Sequence, residues 1–186
     1  DAKPGTPEFE LFIREVRNEI TTKCGQKCTA IRRIIVPENL VGDVQQALSK
    51  ALDQTKIGSP LNRETKMGSL VGKDQQLVLQ SKIDLLKKET ELIYDGKHDL
   101  LDADYDKGAF VTPKIFYNDQ PFSKNSSHEV EAFGPVSTIM PYKDSEEAAA
   151  LAKKGKGSLV GSIVSYDETL NQKSQFLLRQ CVKTRM

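Results

Sequence analysis

Apolar side chains recur every three or four residues in five stretches of the chain, a spacing that predicts amphipathic α-helices. The five predicted helices cover residues 9–22, 39–52, 73–94, 145–153 and 170–181. Asn39 belongs to a residue type that caps the start of a helix. Gly96 follows the third stretch, where a glycine commonly ends a helix. We therefore expect Asn39 to begin the second helix and Gly96 to end the third.

Short apolar runs, several of them rich in β-branched residues, lie between the predicted helices and predict buried strands. They cover residues 31–36, 110–116, 136–142 and 158–166. Strands that alternate with helices require crossover connections, which place helices on both faces of a mostly parallel sheet. No repeat or linker composition divides the chain. The sequence therefore predicts one α/β domain over residues 1–186.

Charge is nearly balanced, with 27 Lys and Arg against 26 Asp and Glu and a net charge of +1. No basic block is interleaved with aromatic residues, so nucleic acid is not an expected partner. The longest apolar runs, such as residues 34–36, are far shorter than the roughly 20 residues that cross a bilayer. The chain also starts without an apolar leader. We expect a cytoplasmic protein with no membrane partner.

Three cysteines and two histidines are the residues most able to ligate a metal or act as nucleophiles. An odd number of cysteines without a repeated framework argues against a secreted disulfide scaffold. The histidines, His98 and His128, are far apart and neither is near a Cys-x-x-Cys pair, so no metal site is expected. Neither lies in a context that favours a Cys-His protease dyad.

Cys28 lies between the first predicted helix and the first predicted strand, a junction that can present a side chain at the edge of a sheet. It is the candidate nucleophile, and Lys23, Lys27, Arg32 and Arg33 supply positive charge nearby. Composition alone favours a different interpretation, in which Cys28 is a small core residue. A redox or metal pair with a second cysteine four residues earlier is a further alternative.

The segment 131–135 places an acid and an aromatic ring, Glu131 and Phe133, on a Gly-Pro turn just before a predicted strand. An acid can accept hydrogen bonds from a ribose diol, and a ring can pack against a flat nicotinamide. The alternative is an ordinary surface turn with Phe133 tucked inward. The residues alone do not choose between these two interpretations.

Together, the segments Gly25–Cys28 and Glu131–Pro135 resemble the two signature segments of the aldehyde dehydrogenase superfamily. Further matches cover most of the chain, at residues 57–61, 67–68, 108–113 and 146–152. Residues 4–9 and 21–33 also resemble the dehydrogenase halves of bifunctional proteins of phenylacetate degradation. The resemblance implies the three-layer αβα catalytic domain of this fold.

The resemblance further implies that the thiolate of Cys28 adds to an aldehyde, that a hydride passes to NAD+ or NADP+, and that water hydrolyses the resulting thioester. By the same resemblance, the backbone N–H of Cys28 is one donor of the oxyanion hole. Glu131 matches the acid that holds the nicotinamide ribose, and Phe133 matches the ring beside the nicotinamide. A small aldehyde is the implied substrate, a coenzyme-A-linked semialdehyde if the phenylacetate subgroup applies. The whole protein is expected to be a homo-oligomer.

Several family features precede the cysteine in known members, whereas only 27 residues precede Cys28 here. They are the glycine-rich dinucleotide loop, the glutamate that activates the deacylating water, and the asparagine side chain of the oxyanion hole. We therefore expect residues 1–186 to be the thiol-bearing catalytic domain of a longer protein, inactive alone and exposing an apolar face. The alternatives are a non-catalytic binding or structural module that retains the fold, and an esterase without hydride transfer.

Overall fold

The structure of the protein is a computed structural model that describes residues 2–165 and 167. The helices are α1 (Pro7–Thr21), α2 (Val41–Asp53), α3 (Lys73–Leu86), α4 (Ser126–Glu129) and α5 (Ser145–Lys153). The strands are β1 (Arg33–Pro37), β2 (Ile57–Gly58), β3 (Glu91–Asp95), β4 (Leu100–Leu101), β5 (Lys114–Tyr117) and β6 (Val136–Tyr142). Two 3-10 turns, Thr22–Gly25 and Glu38–Leu40, precede β1 and α2 respectively.

The main sheet has the strand order β1-β6-β5-β3. β6 pairs in parallel with both β1 and β5, whereas β3 pairs antiparallel with β5. β2 and β4 form a separate parallel pair. The prediction of an α/β fold with a mostly parallel sheet is therefore confirmed. β6 lies between two strands, and its residues Val136–Met140 are all buried.

Each face of the sheet supports its own hydrophobic core. On one face, α1 and α2 pack against β1, β5 and β6 through side chains that include Ile20, Leu48 and Ile139. On the other face, α3 and its flanking loops pack against Phe116 and Val136. Neighbouring strand residues point to opposite faces, so in β5 Ile115 belongs to the first core and Phe116 to the second. α5 packs against β1 and β6.

Side-chain caps fix the start of two helices. Thr6 precedes α1, and its hydroxyl accepts a hydrogen bond from the Phe9 N–H at 3.3 Å. Asp144 precedes α5, and its carboxylate accepts from the N–H groups of Glu146 and Glu147 at 2.9 Å. Both caps satisfy amide donors that have no partner inside the helix.

The prediction of one helix over residues 73–94 is wrong beyond Leu86, where α3 ends. The chain then turns and forms β3, which pairs with β5 at the edge of the sheet. Pairing along this edge therefore overrides the helical spacing of the apolar residues. Gly96 follows a strand instead of ending a helix. Asn39 does not cap α2 either: it lies inside the preceding 3-10 turn, and Leu40 occupies the capping position without a side-chain bond.

Two other strand predictions need correction. Of the predicted strand at residues 110–116, only the part from Lys114 onward pairs with neighbours, and the paired strand extends to Tyr117. Residues 158–165 form no strand, because no described strand lies beside them; Leu159 and Val160 are exposed. Tyr166, the last residue of that prediction, and the predicted helix at 170–181 lie outside the described residues.

Candidate active site

The two segments singled out in the sequence meet at one edge of the sheet. The turn that carries Cys28 leads into β1, and Glu131–Pro135 leads directly into β6. β1 and β6 are parallel neighbours, so the segments that precede them lie at the same edge. The Thr138 N–H donates to the Arg32 carbonyl at 2.9 Å, and the Ser137 hydroxyl donates to the Ile31 carbonyl at 2.7 Å. These bonds fix the register of the two segments.

The closest approach joins Gly25 of the first segment to Gly134 of the second. A Cβ built on Gly25 would overlap the Gly134 carbonyl and lie 2.8 Å from the Pro135 nitrogen. A Cβ on Gly134 would lie 2.8 Å from the Leu79 side chain of α3. Only glycine allows a backbone-to-backbone contact this close. These two glycines therefore bring the candidate nucleophile and the candidate cofactor loop together.

Three consecutive residues before Cys28 adopt the left-handed conformation: Lys23 with φ 52°, Cys24 with φ 55° and Gly25 with φ 69°. Such a run is unfavourable for residues other than glycine. Its effect is to turn the Cys24 side chain into the core beside Phe116, where Cys24 is 0% exposed. Burial raises the pKa of the Cys24 thiol to about 12. Cys24 is therefore a protonated core residue at neutral pH.

Cys28 has the opposite surroundings. It is exposed, and it lies in a turn closed by a hydrogen bond of 3.1 Å from the Ala30 N–H to the Lys27 carbonyl. The alternative that places Cys28 in the core is therefore wrong, and that description applies to Cys24. The two cysteines are both free thiols.

Two side chains hold the Cys28 turn to neighbouring elements. The Gln26 side-chain oxygen accepts a hydrogen bond from the Val71 N–H at 3.0 Å, just before α3. The Lys27 ammonium lies 2.9 Å from the Glu19 carboxylate on α1, and the Lys27 side chain is only 19% exposed. The turn is thus fixed on both sides of the sheet edge. Neither contact was anticipated, because sequence separation gives no indication of these pairings.

The second segment alternates between exposed and buried side chains. Glu131 and Phe133 are exposed, whereas Ala132 between them is buried in the same core as Cys24. Phe133 is 44% exposed and has φ 53°. The alternative with Phe133 tucked inward is therefore wrong. The left-handed conformation instead presents the ring at the surface of the edge where the two segments meet.

Not all of the cations that are near Cys28 in sequence contact the turn that carries Cys28. Arg33 points away along β1: its guanidinium donates to the Leu151 carbonyl at 2.8 Å and the Ala152 carbonyl at 3.2 Å at the end of α5, and lies 3.2 Å from the His128 ring. Arg32 donates to the Ser158 hydroxyl at 3.2 Å. The sequence indicated Arg33 only as positive charge near Cys28 and gave no sign of its bonds to the end of α5.

Within the described part of the chain, no group of three or more His, Cys, Asp and Glu side chains could hold a metal. No helix among the same residues is long and apolar enough to cross a membrane.

The aldehyde dehydrogenase family profile matches residues 6–176 of the chain. Among curated proteins, the chain is 43% identical over 169 residues to the 3,4-dehydroadipyl-CoA semialdehyde dehydrogenase of Aromatoleum evansii, covering 90% of this chain and 33% of that protein. The fold is similar to a double mutant of the betaine aldehyde dehydrogenase from Staphylococcus aureus solved with NAD+, at TM-score 0.79, 27% identity, and coverage of 91% of this chain and 34% of that one.

The fold is also similar to the succinic semialdehyde dehydrogenase of Streptococcus pyogenes solved with NADP+, at TM-score 0.80 and 25% identity, covering 91% of this chain and 36% of that one. The chain therefore spans about a third of the length of the relatives it matches.

Proposed function

The chain belongs to the aldehyde dehydrogenase family, and from this we propose that the protein containing it oxidises an aldehyde to a carboxylic acid with NAD+ or NADP+. The observation that carries the proposal is the meeting of two segments at one sheet edge. An exposed thiol, Cys28, and an exposed ring and acid, Phe133 and Glu131, flank the contact between Gly25 and Gly134.

In the proposed reaction, Cys28 acts as the nucleophile. Its thiolate sulfur forms a bond to the aldehyde carbon, and the carbonyl π pair moves to oxygen to give a thiohemiacetal. Loss of hydride from that carbon restores the carbonyl as a thioester, which water cleaves to the acid and the free thiol. Covalent capture divides one difficult oxidation into two easier steps. An exposed thiol on a turn that two side chains hold to neighbouring elements suits this role.

Glu131 and Phe133 are proposed to bind the cofactor, which accepts the hydride when bound. The exposed Glu131 carboxylate can accept hydrogen bonds from the ribose diol, and the exposed Phe133 ring offers a flat apolar surface to the nicotinamide. Both side chains face outward on a loop whose backbone is fixed against Gly25, so they fit this group. The relatives solved with NAD+ and with NADP+ support either cofactor.

A coenzyme-A-linked semialdehyde is the proposed substrate, formed during phenylacetate or related aromatic catabolism. The relative from Aromatoleum evansii, named for a CoA-linked semialdehyde, supports this choice over an unactivated aldehyde. That relative is about three times as long as the part matched here. A cytoplasmic location, expected from the sequence, remains a prediction.

The isolated 186-residue chain, which we interpret as the thiol-bearing catalytic domain, is expected to be inactive and to associate with itself. On α3, Leu77 is 72% exposed and Val78 46% exposed, and Val71, just before α3, is 84% exposed. Exposed apolar side chains of this kind can mark a surface that another domain or subunit covers. In the whole protein we propose that this surface is covered within a homo-oligomer.

The test is a spectrophotometric assay of NAD(P)H formation by the full-length protein with a panel of CoA-linked and free semialdehydes. Cys28→Ser should abolish turnover, and Glu131→Ala should raise the KM for the cofactor more than it lowers kcat. Glu10→Ala removes an exposed carboxylate on α1, outside both segments, and serves as the control. If the wild-type protein reduces no cofactor with any aldehyde, and Cys28 reacts with iodoacetamide no faster than a model thiol, the non-catalytic module is correct.

A further inference from the structure

Two hydrogen-bonded pairs of polar side chains lie between β1 and the segment that leads to Glu131. One pair joins Arg33 to His128, and the other joins Asn118 to Ser127. Asn118, Ser127 and His128 are buried, at 0%, 2% and 4% exposed, and such groups are costly to bury unless each is hydrogen-bonded. The two pairs are linked along the chain, because Ser127 and His128 are consecutive residues of α4, and neither pair is required by the reaction proposed for Cys28.

Arg33 is the member that lies closest along the chain to the nucleophile turn. Its Nη1 donates to the Leu151 carbonyl at 2.8 Å and approaches Nδ1 of His128 at 3.2 Å, and its Nη2 donates to the Ala152 carbonyl at 3.2 Å. A Cβ built on Gly155 would overlap Nη2. The guanidinium is therefore held on one side by the end of α5 and on the other by His128.

The geometry fixes the protonation of the His128 ring. A guanidinium can only donate, so Nδ1 must accept the bond from Arg33. Nε2 therefore carries the hydrogen and donates to the Pro121 carbonyl at 2.7 Å. His128 is neutral in this arrangement. A second proton on Nδ1 would break the bond and place two cations together.

The second pair of side chains holds α4 through Ser127, the residue before His128. Nδ2 of Asn118 donates to the Ser127 hydroxyl at 2.8 Å and to the Lys124 carbonyl at 3.1 Å. The last turn of α4 is closed by a bond of 2.8 Å from the Val130 N–H to the Ser126 carbonyl. Glu131 follows immediately. The position of the Glu131–Phe133 loop therefore depends on how α4 is held.

Resting on the function proposed above, we propose that Arg33 and His128 are positioning residues, and that their hydrogen bond sets the place of the cofactor-binding loop relative to Cys28. The Gly25–Gly134 contact fixes one end of that loop, and His128 fixes the other end through α4. Positioning then requires a neutral His128.

The groups around His128 favour the neutral ring. Burial lowers the pKa of His128 below its ordinary value, and the cations Arg33 on β1 and Lys154 after α5 lower it further. The bond to the Pro121 carbonyl and the Glu129 carboxylate on α4 act in the opposite direction. A histidine with a depressed pKa stabilises the fold above the unfolded value of about 6.5, and this stability is lost as the pH falls from there to the folded pKa. Weaker cofactor binding is expected at lower pH still, as the pH falls through the folded pKa and the ring gains its second proton in the folded protein.

Two variants separate the two hydrogen bonds of the ring. In His128→Asn the amide oxygen stands near the position of Nδ1 and can accept from Arg33, whereas in His128→Gln the amide nitrogen stands near Nε2 and can donate only to Pro121. In full-length enzyme we expect His128→Asn to keep the cofactor KM within about threefold of wild type and His128→Gln to raise it roughly tenfold, the effect of one lost bond to a charged group. The rate of Cys28 alkylation by iodoacetamide should stay within about twofold in both, as expected for a local change.

The Asn variant should also lose the dependence of cofactor KM on pH below about 6.5, because it cannot be protonated. The proposal would be overturned if His128→Asn, His128→Gln and wild type had equal cofactor KM values with the same dependence on pH. Gly155→Ala gives an independent test, because its methyl group displaces the Arg33 guanidinium without touching His128; it should raise the cofactor KM as His128→Gln does.

Amide hydrogen exchange of residues 130–134 in the same full-length variants distinguishes failure here from failure of the proposed activity. Faster exchange in His128→Gln than in His128→Asn supports positioning even if no aldehyde is oxidised. Identical exchange in both variants, in a protein that does oxidise aldehydes, rejects the positioning role alone.

Discussion

The two cysteines that lie four residues apart at the sheet edge differ in exposure and in backbone conformation. Cys24 has a left-handed backbone, no exposed surface and a thiol whose pKa burial raises to about 12. Cys28 is exposed in a hydrogen-bonded turn. A reactive thiol needs access to its substrate, whereas a buried one is inert. The difference indicates that Cys24 anchors the turn and that Cys28 is the residue the turn presents.

The anchor also explains where backbone strain is located. Lys23 and Cys24 both have positive φ, and Gly25 follows with its backbone against Gly134. The cost of this left-handed run, on the order of 1–3 kcal/mol for each such residue, is offset by the burial of Cys24 among apolar side chains. The strained backbone at Lys23 and Cys24 therefore turns the chain so that the exposed Cys28 lies at the same sheet edge as the loop that carries Phe133.

The largest expected effect comes from removing the presented thiol. Cys28→Ser in the full-length enzyme should lower kcat at least about a thousandfold, the scale seen when a nucleophile is removed from other enzymes. The midpoint of thermal unfolding should hardly change, because the side chain is exposed. Aldehyde-dependent NAD(P)H formation at the wild-type rate would assign the chemistry to another residue.

The next largest effect comes from the contact that joins the two segments. Gly25→Ala should lower the free energy of unfolding by roughly 3 kcal/mol or more, because the methyl group overlaps the Gly134 carbonyl and the φ of 69° disfavours alanine. Gly42→Ala is the matched control. Gly42 lies in α2 with no atom within 4 Å of an added Cβ, so this change should stabilise by about 0.5–1 kcal/mol. Urea titration of both variants measures the two free energies of unfolding. Equal values for Gly25→Ala and Gly42→Ala would refute the contact between Gly25 and Gly134.

A smaller loss is expected at the anchor itself. Cys24→Ser should reduce stability by about 1–3 kcal/mol, because a hydroxyl would be buried among apolar side chains. The wild-type thiol keeps its full contribution below pH 9 and loses it as the pH rises towards 12, since the unfolded thiol ionises first. Cys24→Ala should lack this alkaline decline. The free energy of unfolding of wild type and both variants is measured by denaturant titration between pH 8 and pH 10. A parallel decline in all three proteins would contradict the assignment of Cys24 as a buried, protonated thiol.

The smallest effect is expected at the ion pair between Lys27 and Glu19, next to Cys28 in the chain. Glu19→Gln should change the free energy of unfolding by less than about 1 kcal/mol, since the Glu19 side chain is 39% exposed and such pairs are screened by solvent. The rate of Cys28 alkylation is the more informative measurement. A loss of stability above 2 kcal/mol would mean that the pair supports the fold as well as the turn.

Regular patterns made much of this arrangement predictable. The spacing of Phe9, Ile13, Val16 and Ile20 predicts α1, and the short run at residues 136–142 predicts the strand β6; both are confirmed. Parallel pairing then places Cys28 and Phe133 at one edge. β3 was missed because Leu92–Tyr94 continue the helical spacing of α3, and only pairing with β5 makes them a strand.

The finer features of the site depend on contacts that no local pattern contains. The inward Cys24 and the outward Cys28 differ because of backbone angles set by packing, although each is a cysteine after a polar residue. Arg33 and His128 are 95 residues apart in sequence, and their contact follows only from the placement of β1 beside α4. The catalytic and cofactor-binding roles of Cys28, Glu131 and Phe133 remain predictions.

The most direct test of the role of Cys28 is to trap the acyl group on the enzyme. Full-length protein is mixed with NAD(P)+ and a CoA-linked semialdehyde, quenched in acid within one turnover, digested, and analysed by mass spectrometry. We expect the acyl mass on the peptide that contains Cys28, and we expect it to disappear in Cys28→Ser. An acyl group on the peptide of Cys24 or of the third cysteine, Cys181, or no acyl group while NAD(P)H forms, would contradict the role of Cys28.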